Sequence, residues 1–157
     1  MNNPDKKAFS LVEALIVMFI ILLITGLTVP NYFKFSSSKK LDTVAREVSN
    51  VLRSARAHAI TNRKNCNVYF YNAGKTYEMR DFFGNLIDKT YKVPDIITIV
   101  DGTNPFPVGS GAYKQAEFKP DGSGAWGADT RDVKITDIYS HEKKVTVVGT
   151  TGRVKIE

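Results

Sequence analysis

The sequence predicts an α+β fold in which one long N-terminal helix packs on antiparallel β-sheets. The helix is a membrane anchor in its first half and amphipathic in its second. Three observations predict this. Phe9 to Val29 is a run of 21 residues whose only charged member is Glu13. From Leu41 to Ile60 the apolar residues recur at steps of three and four, the spacing of a single helical stripe. Beyond Asn67 the period changes to short β-rich runs separated by turn residues.

The apolar run comes first in the chain. At 1.5 Å per residue it is roughly 31 Å long as a helix, close to the ~30 Å of a bilayer's hydrocarbon. Lys6 and Lys7 lie just before it, which by the positive-inside rule keeps the N-terminus cytoplasmic and sends residues 31–157 outward. A cleaved secretory signal peptide is one alternative, but Thr28-Val29-Pro30-Asn31-Tyr32 lacks the small-x-small cleavage pattern. A plain signal anchor is another, and it has no use for Glu13. A carboxylate at the bilayer centre costs about 2.5–3.5 kcal/mol on insertion scales, less near the end, and calls for a partner.

The amphipathic stretch follows Pro30, which lacks an N–H and is expected to kink the helix without ending it. Its stripe is Leu41, Val44, Val48, Val51, Leu52, Ala55, Ala59 and Ile60, and the helix is expected to stop near Asn62–Asn65. Then come the strand candidates. Asn67–Tyr71 and Thr76–Arg80 form a hairpin about Asn72-Ala73-Gly74-Lys75. The others are Leu86–Val93, Ile96–Val100, Val133–Tyr139, Lys144–Val148 and Arg153–Ile156. Asp101 to Lys114 and Pro120 to Thr130 are rich in Gly, Pro and Ser and read as loops. Neither Gly109-Ser110-Gly111 nor Gly122-Ser123-Gly124 is followed by the Lys-Ser/Thr of a phosphate-binding loop.

Composition bounds the function classes. A length of 157 residues suits one modest domain plus an extra segment. Of the net charge of +6, Met1 to Pro30 contributes nothing, since Lys6 and Lys7 offset Asp5 and Glu13; residues 31–157 carry all of it. Such a head attracts nucleic acid or anionic lipid, or is simply a solvated surface. Cys66 is the sole cysteine, so no intramolecular disulfide forms, and no metal-ligand spacing is present. Asp121, Asp129 and Asp132 lie in or beside a loop with no base placed next to a nucleophile, so catalysis is not expected and no cofactor is implied. His58 is expected at the surface or an interface, and His141 solvated in the turn Ser140-His141-Glu142-Lys143-Lys144.

Lys7-Ala8-Phe9-Ser10-Leu11-Val12-Glu13 before an apolar run resembles the class III leader of type IV prepilins and type II secretion pseudopilins. Leu52-Arg53-Ser54-Ala55-Arg56-Ala57-His58-Ala59-Ile60-Thr61-Asn62-Arg63, Phe118-Lys119-Pro120-Asp121-Gly122 and Thr150-Thr151-Gly152-Arg153-Val154-Lys155 resemble motifs of the GspH/FimT group within it. The resemblance implies a pilin-like fold in four parts: leader 1–8, transmembrane helix 9–30, amphipathic continuation 31–64 and extracytoplasmic head 65–157. It implies cleavage by the prepilin peptidase between Ala8 and Phe9, where Ala8 stands for the usual Gly, and N-methylation of Phe9. It makes Glu13 the acidic fifth mature residue used in subunit assembly, and Pro30 the helix-kinking proline. The implied partners are other pilins or pseudopilins in a filament, the peptidase and the bacterial inner membrane.

Some minor pilins of this group bind DNA during natural transformation, through a Gly-Arg-x-Arg motif. Here it reads Gly152-Arg153-Val154-Lys155, and lysine keeps the charge but loses the planar fork. In a final strand Arg153 and Lys155 share one face, and Lys143 and Lys144 in the preceding turn are expected to widen the patch. Two readings therefore stand beside the structural subunit: a DNA-binding minor pilin acting in DNA uptake, and a bitopic protein outside any filament that retains its leader.

Overall fold

The computed structural model describes residues 10–71, 75–109 and 113–157, without the side chains of Leu27 and Pro30. Ala8 and Phe9, and the turn residues Asn72, Ala73 and Gly74, lie outside it. One helix, α1 (Leu11–Asn62), is followed by eight strands: β1 (Cys66–Tyr71), β2 (Thr76–Arg80), β3 (Tyr91–Lys92), β4 (Ile97–Asp101), β5 (Tyr113–Phe118), β6 (Thr130–Asp137), β7 (Glu142–Val148) and β8 (Arg153–Ile156). The chain divides into two compact units, one ending at Ser36 and the other running from Ser37 to Glu157.

In the first unit the backbone stays helical through Pro30. Its described large apolar side chains are exposed, with Leu11 at 78% and Leu22 at 70%. The hydroxyls of Thr25 and Thr28 donate to the carbonyls of Ile21 and Ile24, at 2.6 and 2.9 Å. Hydroxyls within an apolar run are thus satisfied by the helix itself.

In the second unit the predicted stripe is the helix's buried face, from Leu41 to Ala59. Ile60 is the exception. It is 43% exposed and lies against the turn at Gly122, where an added Cβ would come 2.8 Å from its Cδ1. The helix stops by a Schellman turn: Arg63 adopts φ +52° and the N–H of Lys64 reaches back to the Ala59 carbonyl at 3.3 Å.

Two four-stranded antiparallel sheets share the core with this helix, in orders β3-β2-β1-β5 and β4-β6-β7-β8. From the first sheet Val68, Phe70, Tyr77, Ala116 and Phe118 point inward, and from the second Ile97, Val133, Ile135, Val145, Val147 and Val154. Alternation along each strand sends the polar residues outward.

Four strand expectations need correction. Leu86–Val93 shrinks to Tyr91–Lys92, because Leu86 is 45% exposed and Asp88 and Lys89 have no sheet to join. β5 was not foreseen. β6 starts at Thr130 and stops at Asp137, two residues short of Tyr139. β7 starts at Glu142, two residues before the expected Lys144, so Glu142 and Lys143 are strand and not turn.

Candidate functional site

Three places carry side-chain chemistry, and the sequence points to the first two. The first is the start of α1. Ser10 precedes the helix and its carbonyl accepts the first helical bond, from the Ala14 N–H at 3.2 Å. Glu13 stands in the first turn. A carboxylate there is favoured by the helix dipole, and Ser10-x-x-Glu13 has the spacing of a capping box. Glu13 is therefore doubly suited to its position before any partner is considered. Around it, apolar residues from Leu11 to Val29 are exposed by 44–78%. An uncovered surface of this size demands a bilayer or other helices.

The second place is the basic surface of β7 and β8. Arg153 pairs with Val148 and Lys155 with Thr146, which puts both on the outward face together with Lys144. Lys143 is not on it. It pairs with the buried Ile135 on the helix side, and its Nζ lies 3.6 Å from Asp42 Oδ1. The cause is the early start of β7, since consecutive strand residues point oppositely. Lys144 is partly neutralised by Asp132 at 3.6 Å, and the neighbouring Lys134 by Glu142 at 2.9 Å.

Two arginines not singled out from the sequence join this surface. Arg53 and Arg56, with Gly152, Arg153 and Val154, line a cleft of about 260 Å³. Arg53 donates to the Val154 carbonyl at 3.4 Å and Arg56 to the Gly122 carbonyl at 3.0 Å. Among the described residues, none of Arg53, Arg56, Arg153 and Lys155 has a carboxylate partner. Gly152 is required here. It takes φ +61°, and a Cβ would fall 2.0 Å from the Gly122 carbonyl oxygen. The spacing Arg53-x-x-Arg56 was a usable signal, because residues three apart lie on one helix face.

The third place was missed altogether. Asp137, at the end of β6, is buried and accepts from Ser37 Oγ at 2.8 Å, from the N–H groups of Tyr139 and His141 at 2.9 and 2.8 Å, and contacts His141 Nδ1 at 2.9 Å. Burial alone would raise its pKa, but the bonds from His141, Ser37 and the two backbone N–H groups outweigh it and hold the carboxyl down at about 2. Ser, Asp and His are the ingredients of a nucleophile triad, but the carboxylate sits between the other two. The imidazole is not placed to take the serine's proton, and the cluster acts as a cap. It closes the β6–β7 turn, where Ser140 takes φ +65°, and ties that turn to the helix at Ser37.

Asp132 is likewise a turn cap, accepting from the N–H groups of Thr103 and Asn104 at 2.9 and 2.8 Å. Cys66 is fully buried, its Sγ 3.4 Å from the Arg80 carbonyl, and burial pushes its thiol up to about 11.

An exposed apolar helix led by an acid, ahead of a head in which the same helix covers two antiparallel sheets, defines a pilin-like chain. Residues 3–29 match the family model of the prokaryotic N-terminal methylation motif. The fold is similar to that of the type IV minor pilin FimU of Pseudomonas aeruginosa, strain PAO1, at 16% identity and a TM-score of 0.58, over 78% of this chain and 92% of that one. It is also similar to the minor pseudopilin EpsH of the type 2 secretion system of Vibrio cholerae, at 11% identity and a TM-score of 0.56, over 75% of this chain and 96% of that one. At such identities the likeness is one of fold. No curated protein matches the chain by sequence.

Proposed function

We propose that the chain is a minor pilin or pseudopilin, a structural subunit of a type IV pilus or type II secretion filament. The prepilin peptidase cuts between Ala8 and Phe9, and Phe9 is methylated. Before assembly the protein waits in the bacterial inner membrane with residues 31–157 outside. The observation that carries this reading is the uncovered apolar run from Leu11 to Val29 with Glu13 as its only charge. In the filament the helices of other pilins or pseudopilins cover that run, and the amine of a neighbour's Phe9 answers Glu13. Mass spectrometry of the protein extracted from host membranes tests it. The expected chain begins at methylated Phe9, and a chain still beginning at Met1 contradicts it.

A second reading, binding of DNA in uptake, is favoured by the convergence of Arg53, Arg56 and Arg153 on one cleft beside Lys155. Contacts to phosphate give weak binding that falls steeply with salt and ignores sequence. A fluorescence titration of the detergent-solubilised protein with duplex DNA over a salt series tests it. Salt-dependent binding lost in Arg153→Glu supports the reading, and no binding at micromolar protein removes it.

A further inference from the structure

Beyond β2 the chain makes a turn that none of these roles uses. Asp81 Oδ1 accepts the N–H groups of Phe83 and Asn85 at 2.9 and 2.8 Å, and Oδ2 accepts the Asn85 side-chain amide at 3.0 Å. The Asp81 N–H donates to the Asn85 carbonyl at 2.9 Å. Gly84 takes φ +85°, and Arg80 Nη1 holds its carbonyl at 2.9 Å. The geometry thus depends on Arg80, Asp81, Gly84 and Asn85, and makes no use of the side chains at 82 and 83. Both positions hold phenylalanine, 59% and 69% exposed, with rings edge-to-face at 5.5 Å.

Two large apolar side chains are therefore presented to solvent on a turn closed by hydrogen bonds within residues 80–85, where ordering them on binding costs little entropy. Adjacent rigid aromatics of this kind are what protein interfaces use as anchors. They rim a cleft of about 330 Å³ shared with His58, Asn62, Lys64 and Asn65 at the end of α1. The Lys64 ammonium lies 4.5 Å from the centre of the Phe83 ring. Asp81 keeps its charge but turns both oxygens into its own turn, which leaves Lys64 as the ion lying against the exposed rings. From Ser37 the helix runs roughly 37 Å to this cleft, at 1.5 Å per residue, so the pair lies at the end of the head remote from the chain's entry.

We infer that Phe82 and Phe83 are the docking anchor for a different filament subunit, inserted in an apolar pocket bordered by carboxylates on that subunit's head. Charge complementarity selects this occupant. Residues 31–157 carry the whole excess of +6, so a second copy would set like charge against like. The inference rests on the filament reading, because the distal end of a head faces the next subunit only in such an assembly.

A photoreactive phenylalanine analogue placed at position 82 or 83 of the full chain, in host membranes, tests it. The expected adduct, identified by peptide mass spectrometry, joins the head of another protein that carries a prepilin leader, with a yield at least about fivefold lower in Lys64→Glu. The double variant Phe82→Ser, Phe83→Ser should enter sheared filaments at least about fivefold less while the head's melting temperature stays unchanged. An adduct to a second copy, to lipid or to nothing overturns the inference, as does normal incorporation of the double variant. The same spectra read the N-terminus: a processed Phe9 with no adduct rejects the docking alone, whereas an intact leader rejects the filament reading.

Discussion

The two halves of α1 share a backbone and differ in what surrounds them. From Leu11 to Phe35 nearly every apolar side chain is open, while Ala45, Val48, Leu52, Ala55 and Ala59 in the second half are fully buried. Helix propensity does not separate the two, since both are continuous helix. The second half carries its sheets with it, in the same chain. The first is unfinished until a bilayer or other helices cover it. Most of a helix's stability in a protein comes from packing of its apolar face, so the first half depends on its surroundings in a way the head does not.

That contrast breaks most visibly at matched leucines. Leu52→Ala removes a side chain from a filled core and should destabilise the head by about 2–5 kcal/mol in chemical denaturation of the detergent-solubilised protein. Leu23→Ala, in the uncovered half, should leave the same transition within about 0.5 kcal/mol. Equal effects at both positions would mean that the halves are not energetically distinct.

The cap at Asp137 gives the next largest effect. Its carboxyl is held at about 2, below its ordinary 3.8. A depressed folded pKa means that the ionised form is stabilising: the contribution is complete above about pH 4 and is lost as pH falls through about 2. The head's melting temperature should therefore drop between pH 4 and pH 2, and Asp137→Asn should flatten that drop. At pH 7 the same substitution should cost roughly 1.5–3 kcal/mol, the range for bonds to a charged group.

Much of this was legible in the sequence, and what was not has physical reasons. The stripe from Leu41 to Ala59 and the hairpin of β1 and β2 follow from local periodicity. Strand β5, Tyr-Lys-Gln-Ala-Glu-Phe, is polar at three of its six positions and buries fully only Ala116 and Phe118. It is a strand because β1 offers it a partner from Cys66 to Tyr71, a contact no local window shows. The site was misread for a similar reason. Lys143 and Lys144 look like one patch in sequence, but the Asp137 cap tightens the turn and starts β7 early, which sends them to opposite faces. Ser37 and His141 lie a hundred residues apart and four apart from Asp137, so only the first gap hides the network.

Two smaller measurements sharpen the picture of the head. With its thiol at about 11, up from 9.0, Cys66 should react with an aromatic disulfide at pH 8 at least about a hundredfold more slowly in the folded protein than in denaturant. Arg63 holds a left-handed conformation that costs a side-chain-bearing residue about 1–2 kcal/mol. Arg63→Gly should raise the head's stability by about 1 kcal/mol.

Whether the uncovered half is completed by neighbouring subunits turns on the acid at its start. Glutamine at position 13 keeps the capping-box spacing and removes only the charge. The decisive quantity is the amount of Glu13→Gln protein in sheared filaments relative to the amount in the membrane. Normal insertion and leader cleavage are expected, with filament incorporation down at least about tenfold, the equivalent of 1.4 kcal/mol. Incorporation at the level of the unsubstituted protein would contradict this role of Glu13.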